Sequence, residues 1–175
     1  MRRYGIVLAA AVTLCAAGSR AGAEPGRVPR WPRRLILAQA APSAQCEALE
    51  VLATTGPKKG VDAKLDKVKA KLQNPPFTAY DTFELAGDQN LTAAQNTPVA
   101  AKLATGGKLT LLFKDVLVKQ GGKARLRMGV DVDNAAGKRA VSTTVAVDAG
   151  TWNSPYAGEK YKNGVYILFL SCATP

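Results

Sequence analysis

Aromatic and basic side chains suited to ligand binding concentrate between residues 149 and 163. They are Trp152, Tyr156, Lys160, Tyr161 and Lys162. Aromatic faces beside charged groups suit sugars, peptides and other partner surfaces, and a connection longer than a hairpin needs is often functional. The same aromatic rings could instead cover the open end of a sheet core, because each buries a large apolar area. This connection is the candidate ligand-binding site, with core packing as the alternative.

Residues for catalysis are scarce, because the sequence has no histidine. That absence excludes Ser-His and Cys-His nucleophile pairs and any His-containing zinc site. Asp131, Asp133 and Asn134 resemble the start of a calcium loop, but no acidic residue completes the ligand set. A hairpin turn accounts for the same residues. We therefore expect no catalytic residue, no metal site and no cofactor.

Two cysteines, Cys46 and Cys172, stand near the two ends of the candidate domain. They lack the C-x-x-C spacing of a redox-active pair, and they form the one possible pair once the N-terminal segment with Cys15 is removed. In an oxidising compartment we expect a structural disulfide that joins the first and last strands. Closing a loop of more than a hundred residues stabilises the fold by about 4–5 kcal/mol in the chain-entropy model.

The N-terminal segment predicts export. Residues 1–23 have a basic start, a short apolar stretch and a small-residue cleavage site that ends at Ala23, as in a secretory signal peptide. Residues 24–43 form a basic linker rich in proline and alanine, with a second small-residue site that ends at Ala40. Cleavage after Ala23 or after Ala40 stays open. We expect a secreted or periplasmic protein of the bacterial envelope.

Most of the positive charge lies outside the candidate domain. The chain has 24 basic and 13 acidic residues, a net charge of +11, but residues 1–40 hold seven arginines and one glutamate. The remaining 17 basic and 12 acidic residues give a net charge of +5. This charge is too small to indicate a strongly basic, nucleic-acid-binding surface on the domain. The arginines between Arg27 and Arg34 could contact anionic lipid or nucleic acid, although an inert linker is the simpler interpretation.

The spacing of apolar residues predicts one amphipathic helix followed by strands. A helix over residues 60–73 would place one apolar stripe on the core, ending at Asn74-Pro75-Pro76. The stripe contains Val61, Leu65, Val68 and Leu72. Lysines on one flank of this helix could bind an anionic partner, although a solvated face is the simpler explanation.

The rest of the chain predicts β-structure. Strict alternation over residues 123–133 indicates one buried and one solvent-exposed face. A slip in the alternation near Lys114-Asp115 indicates a bulge or a bend. Residues 164–172 are apolar on both faces, so that strand is central or covered by the helix. Candidate strands run over 46–54, 78–86, 89–94, 98–104, 107–118, 123–133, 138–148 and 164–172, with hairpins at Gly121-Gly122 and Asn134–Gly137. The predicted class for residues 44–175 is mainly β (α+β): an antiparallel β-sandwich or curved sheet with one helix near its N-terminus.

Two short motifs carry a resemblance to a known group of proteins. One is Pro75-Pro76-Phe77 with Tyr80 and Phe83-Glu84-Leu85, and the other runs from Tyr161 to Leu168. They resemble stretches of secreted bacterial β-rich proteins of uncharacterised function, over residues 74–170. The resemblance implies secretion and a β-rich fold, and it implies no activity or site residues.

These patterns together predict a non-catalytic secreted or envelope protein whose β domain binds or scaffolds another macromolecule. The partner would be an unidentified protein or a glycan. The alternative is electrostatic binding of anionic lipid or nucleic acid through the basic linker. A hydrolase that works without histidine is the third possibility. The sequence does not determine the oligomeric state or the strand topology.

Overall fold

The computed structural model describes residues 42–57, 59–117 and 124–175. The predicted signal peptide, residues 24–41 of the predicted linker and the Gly121-Gly122 hairpin lie outside the described residues. Within the described part, no helix is long and apolar enough to cross a membrane.

Nine strands in the described part of the chain form two sheets. They are β1 (Ser43–Thr54), β2 (Gly60–Val61), β3 (Thr82–Ala94), β4 (Pro98–Lys102), β5 (Lys108–Leu117), β6 (Arg125–Asp133), β7 (Arg139–Asp148), β8 (Asn153–Tyr161) and β9 (Gly164–Ala173). Sheet A has the order β2-β3-β1-β9-β8, and sheet B has the order β4-β5-β6-β7. All neighbours are antiparallel except β2 and β3. The predicted mainly β class is confirmed.

The main core lies between the two sheets. In β6, Leu126, Met128 and Val130 are fully buried while Arg127 is exposed, so the predicted alternation is confirmed. Sheet A contributes the even-numbered positions of β9, from Tyr166 to Cys172, to the same core. Burying one face of each sheet against the other gives the sandwich.

The predicted helix over residues 60–73 is wrong in its extent. Val61 pairs with Phe83 as part of β2, and only Lys69–Leu72 form an α-helix, α1. Between them, Asp62 accepts a hydrogen bond from the Lys64 amide at 3.0 Å and caps a single 3-10 turn, Ala63–Leu65. That amide also lowers the pKa of Asp62. Because Gly60 and Val61 pair with β3, these residues cannot form the first turn of the predicted helix.

The helical segment, which comprises the Ala63–Leu65 turn and α1, nevertheless buries three of the four residues of the predicted stripe. Leu65, Val68 and Leu72 are each 1% exposed or less, and they pack on the face of sheet A that points away from sheet B. Phe77 packs against Phe169 with ring centroids 5.5 Å apart. Strand β9 is thus covered on both faces, as its apolar sequence predicts.

The strand bounds differ from the sequence prediction in two places. The predicted strands over 78–86 and 89–94 merge into one strand, β3, which begins only at Thr82, and Phe77–Ala79 form a 3-10 turn instead of the predicted strand start. The predicted connection over 149–163 contains β8, which sequence alternation does not reveal because its pairing with β9 shifts register twice. The bulge predicted near Lys114 is confirmed, since Phe113 faces Met128 and Asp115 faces Arg127. The hairpin at Asn134–Gly137 is also confirmed.

The predicted disulfide is present. Cys46 and Cys172 are directly opposite each other on β1 and β9, with their Cα atoms 4.0 Å apart. Both side chains are buried, and the bridge spans 126 residues of sequence. It therefore ties the first long strand of the domain to the last.

We expect Cys46→Ala/Cys172→Ala to lower the free energy of unfolding by about 4 kcal/mol, because the unfolded chain regains the freedom of a long loop. Urea denaturation measures this loss. The wild-type protein with its disulfide reduced is the control, and it should lose a similar amount. A reduced wild type as stable as the oxidised one would contradict the prediction.

Candidate functional site

The predicted binding residues do not form a single aromatic platform. Trp152 packs against the core beneath the helical segment. Tyr156 and Tyr161 pack on the opposite face of sheet A, where each ring centroid lies 6.2 Å from that of Tyr166. The aromatic rings therefore pack against the two cores, which is the alternative that the sequence left open. Lys160 and Lys162 remain exposed.

A buried carboxylate occupies the core between the sheets next to these tyrosines. Glu50 of β1 is 1% exposed. Its Oε2 accepts hydrogen bonds from the Tyr166 hydroxyl at 2.8 Å and the Ala104 amide at 2.6 Å, and its Oε1 accepts one from Gln89 Nε2 at 2.8 Å. Within the described chain, no lysine or arginine forms an ion pair with it. Neutral donors therefore replace the water that the carboxylate loses on burial.

The Glu50 network joins the two sheets through the turn between β4 and β5. The amide of Ala104 donates to Glu50, and its carbonyl accepts a hydrogen bond from the Tyr161 hydroxyl at 3.0 Å. Gln89 of β3 also donates to the carbonyl of Lys102 at 2.6 Å. Side chains of sheet A thus satisfy three backbone groups of sheet B and its turn, and they hold that turn in one position.

The Glu50 side chain fits because the residue facing it on β3 is a glycine, Gly87. The pairing of β1 with β3 shifts register between Glu50 and Val51, where Glu50 faces Gly87. A Cβ atom at Gly87 would lie 2.9 Å from Glu50 Oε1. A side chain at that position would therefore displace a carboxylate oxygen that Gln89 already holds.

Burial raises the pKa of two tyrosines in this cluster. Burial, followed by the adjacent Glu50 carboxylate, raises the pKa of Tyr166 well above its ordinary value. Burial also raises the pKa of Tyr156, whose hydroxyl lies 3.2 Å from Glu159 Oε2. Both hydroxyls stay protonated and act as hydrogen-bond donors to carboxylates.

Sequence reasoning missed Glu50, although a signal existed. Glu50 is the one charged residue in the apolar run from Ala48 to Ala53. A carboxylate inside a buried strand requires hydrogen-bond partners. The partners come from distant segments, so the sequence could indicate the need for a network but could not identify Tyr166 or Ala104.

The two exposed lysines border an open cleft at the end of sheet A. The cleft has a volume of about 410 Å³ and is lined by Ala53, Thr54, Thr55, Tyr80, Lys160, Lys162, Asn163, Gly164 and Val165. None of these residues is acidic. Lys162 Nζ also lies 5.2 Å from the centroid of the Tyr161 ring, a cation–π contact that holds the lysine against β8. Ammonium, hydroxyl and amide groups therefore converge on one accessible space.

The residues that resemble a calcium loop serve the β6–β7 hairpin. Asn134 Oδ1 accepts hydrogen bonds from the amides of Ala136 and Lys138. Arg139 pairs with both Asp131 and Asp133, and these carboxylates raise its pKa. Among the described residues, no group of three or more potential protein ligands could hold a metal ion.

Comparison with known proteins adds no relative. No family model, no curated protein and no solved structure matches this chain. Inference about its function therefore rests on its own residues and their geometry.

We expect Glu50→Gln to destabilise the fold by about 1–3 kcal/mol, because the new amide cannot accept from all three donors. Glu50→Leu should cost more, since it leaves the Tyr166 hydroxyl and the Ala104 amide without an acceptor. Glu47→Gln is the matched control on the same strand. Glu47 is paired with Lys67 near the surface, so its loss should cost below about 1 kcal/mol. Equal losses at positions 47 and 50 in urea denaturation would contradict this account.

The raised pKa of Tyr166 predicts a stability loss at alkaline pH. Above pH 10.0, the ordinary value, tyrosine ionises in the unfolded chain while Tyr166 stays protonated in the fold. Its contribution is therefore complete below that pH and is lost as the pH rises, by up to about 1.4 kcal/mol per pH unit. Urea denaturation of wild type and Tyr166→Phe between about pH 9 and 11 isolates this effect. Parallel pH profiles would contradict it.

Proposed function

We propose that this chain is a non-catalytic protein of the bacterial envelope or external medium whose β domain binds an anionic glycan. The secretion-like N-terminal sequence supports the location, as does the resemblance to secreted bacterial β-rich proteins. The buried Cys46–Cys172 bridge agrees with an oxidising compartment. The binding site that we propose is the cleft between Lys160 and Lys162.

The observation that carries this proposal is the chemistry of the cleft lining. Lys160 and Lys162 supply positive charge, and the hydroxyls of Thr54, Thr55 and Tyr80 can donate hydrogen bonds. Neither lysine forms an ion pair with another described residue. A lining with cations and donors but no carboxylate favours an anionic ligand, because charge-assisted hydrogen bonds are stronger than neutral ones.

A glycan fits this cleft better than a flat protein surface does. The cleft is open and has a volume of about 410 Å³, which suits a chain a few sugars long. The half-buried Tyr80 ring lies at its margin, and aromatic rings commonly pack against sugar faces. The carboxylate, sulfate or phosphate groups of the glycan would then contact the lysines.

A binding role also agrees with the position of the buried carboxylate. Glu50 is closed to solvent, and three donors already occupy it. A general acid or base has to reach the proton that it transfers. Glu50 is better placed to stabilise the sandwich than to act on a substrate.

The alternative function uses the arginines between Arg27 and Arg34, which lie outside the described residues. A basic segment of this kind would bind anionic lipid or nucleic acid mainly through charge. Its binding would fall steeply with added salt and would not depend on the cleft.

We expect Lys160→Gln/Lys162→Gln to weaken binding of polygalacturonate, a carboxylated glycan, by about tenfold, equivalent to about 1.4 kcal/mol. Lys69→Gln/Lys102→Gln is the control, because it removes the same charge from two exposed positions outside the cleft. Titration calorimetry with the full chain measures both, and neutral dextran should not bind.

Equal weakening by the two double variants would contradict the cleft assignment and indicate unspecific attraction. Binding to phosphatidylglycerol vesicles or single-stranded DNA that both variants retain, and that salt abolishes, would favour the basic linker. Unchanged thermal unfolding of the variants excludes loss of the fold as the cause.

A further inference from the structure

The turn between β8 and β9 contains a lysine in a backbone conformation that lysine rarely adopts. Tyr161 pairs with Gly164, so Lys162 and Asn163 form a two-residue hairpin turn. Lys162 has a φ of 50°, in the left-handed region where the Cβ atom crowds the following carbonyl oxygen. Glycine, asparagine or aspartate usually occupies such a position in a hairpin. The turn therefore carries a strain that a glycine at position 162 would relieve.

The fold makes little use of the Lys162 side chain. Its ammonium group is exposed and forms no ion pair with another described residue. Its contact with the Tyr161 ring, 5.2 Å from the centroid, is a solvent-exposed cation–π pair, the weaker kind of this interaction. Strained residues of this kind cluster at functional sites, where function rather than stability retains them. A lysine at this position therefore indicates a role in binding.

The surroundings of the turn hold the ammonium group at one place in the cleft. A Cβ atom at Gly164 would lie 2.6 Å from Thr54 Cγ2, so the turn lies directly against the end of β1. The Tyr161 hydroxyl donates a hydrogen bond to the carbonyl of Ala104 at 3.0 Å, which fixes the ring that Lys162 contacts. The position of this cation is therefore set by the backbone of the turn and by an anchored ring.

We propose that Lys162 determines the specificity of the cleft, and that it selects carboxylates attached directly to a sugar ring, as in uronic acids. This inference rests on the proposed binding of an anionic glycan. A cation held in one place favours an anion that is also held in one place, because fewer rotatable bonds lose their freedom on binding. A uronic acid carboxylate is joined to its ring by a single bond, whereas a sulfate ester rotates about two.

Lys160 supplies attraction without selecting a position. Within the described chain it contacts neither an aromatic ring nor a carboxylate. Its long side chain is therefore free to follow an anionic group of either kind. The two lysines of the cleft thus divide the work, with Lys160 adding charge and Lys162 adding discrimination.

Unspecific electrostatic attraction predicts the opposite preference. A highly sulfated dextran carries more charge per sugar than polygalacturonate, so charge alone favours the sulfated glycan. Tighter binding of polygalacturonate would therefore report selection by position. The comparison of these two glycans separates the two explanations.

Titration calorimetry with the full chain tests the preference. Wild type should bind polygalacturonate at least about fivefold more tightly than dextran sulfate, because the fixed cation favours the fixed carboxylate. Lys162→Gln should weaken polygalacturonate binding by about fivefold and remove the preference. Lys160→Gln should weaken binding of both glycans by about twofold and keep the preference.

Thermal unfolding of the same chains tests the strain. Lys162→Gly should raise the melting temperature by about 3 °C, because glycine adopts a positive φ without the Cβ clash. Lys162→Gln is the matched control, since it removes the charge and keeps the strained backbone, and its melting temperature should stay near that of wild type. Asn163→Gly, at the neighbouring position where φ is not positive, should not raise it.

Three results would overturn this inference and leave the proposed binding of an anionic glycan intact. They are equal weakening by Lys162→Gln and Lys160→Gln, tighter binding of dextran sulfate by wild type, and a melting temperature of Lys162→Gly at or below that of wild type. The last result would mean that the lysine serves the fold. Absence of binding to either glycan would overturn the proposed function and this inference together.

Discussion

The sandwich depends on the burial of one carboxylate, that of Glu50. Leaving this group without partners would cost far more than a single hydrogen bond contributes. Its donors come from three separate places: Tyr166 on β9, Gln89 on β3 and the Ala104 turn of sheet B. All three are satisfied only when both sheets are in place. The apolar core supplies most of the stabilisation, and this network restricts it to one arrangement.

Strand β1 is the element through which the features of the domain are connected. Cys46 near its start bonds β9, Glu50 in its middle bonds sheet B, and Thr54 at its end lines the cleft. Its two faces serve two different cores, because Ala48 packs towards sheet B and Leu49 packs beneath the helical segment. Both faces are buried because sheet B covers one face of β1 and the helical segment covers the other.

The proposed binding cleft uses a part of the surface that the two cores leave available. The cleft lies where the β8–β9 turn passes the end of β1. Lys160 and Lys162 stay exposed there, because the tyrosine rings of β8 pack against the core instead.

The sequence alone determined the local features. Strict alternation identified β6, a slip in alternation located the bulge at Lys114, and two cysteines outside the predicted signal peptide left one disulfide pairing. The apolar stripe with Leu65 and Leu72 also predicted burial correctly. Each of these follows from the spacing of neighbouring residues, or from counting. Only the tertiary structure decided that β2 replaces the first turn of the predicted helix and that residues 153–161 form a strand. It also decided that Tyr156 and Tyr161 pack against Tyr166, which donates a hydrogen bond to Glu50. Those outcomes depend on contacts between segments far apart in the chain, and periodicity within one segment carries no information about the partner that it will meet.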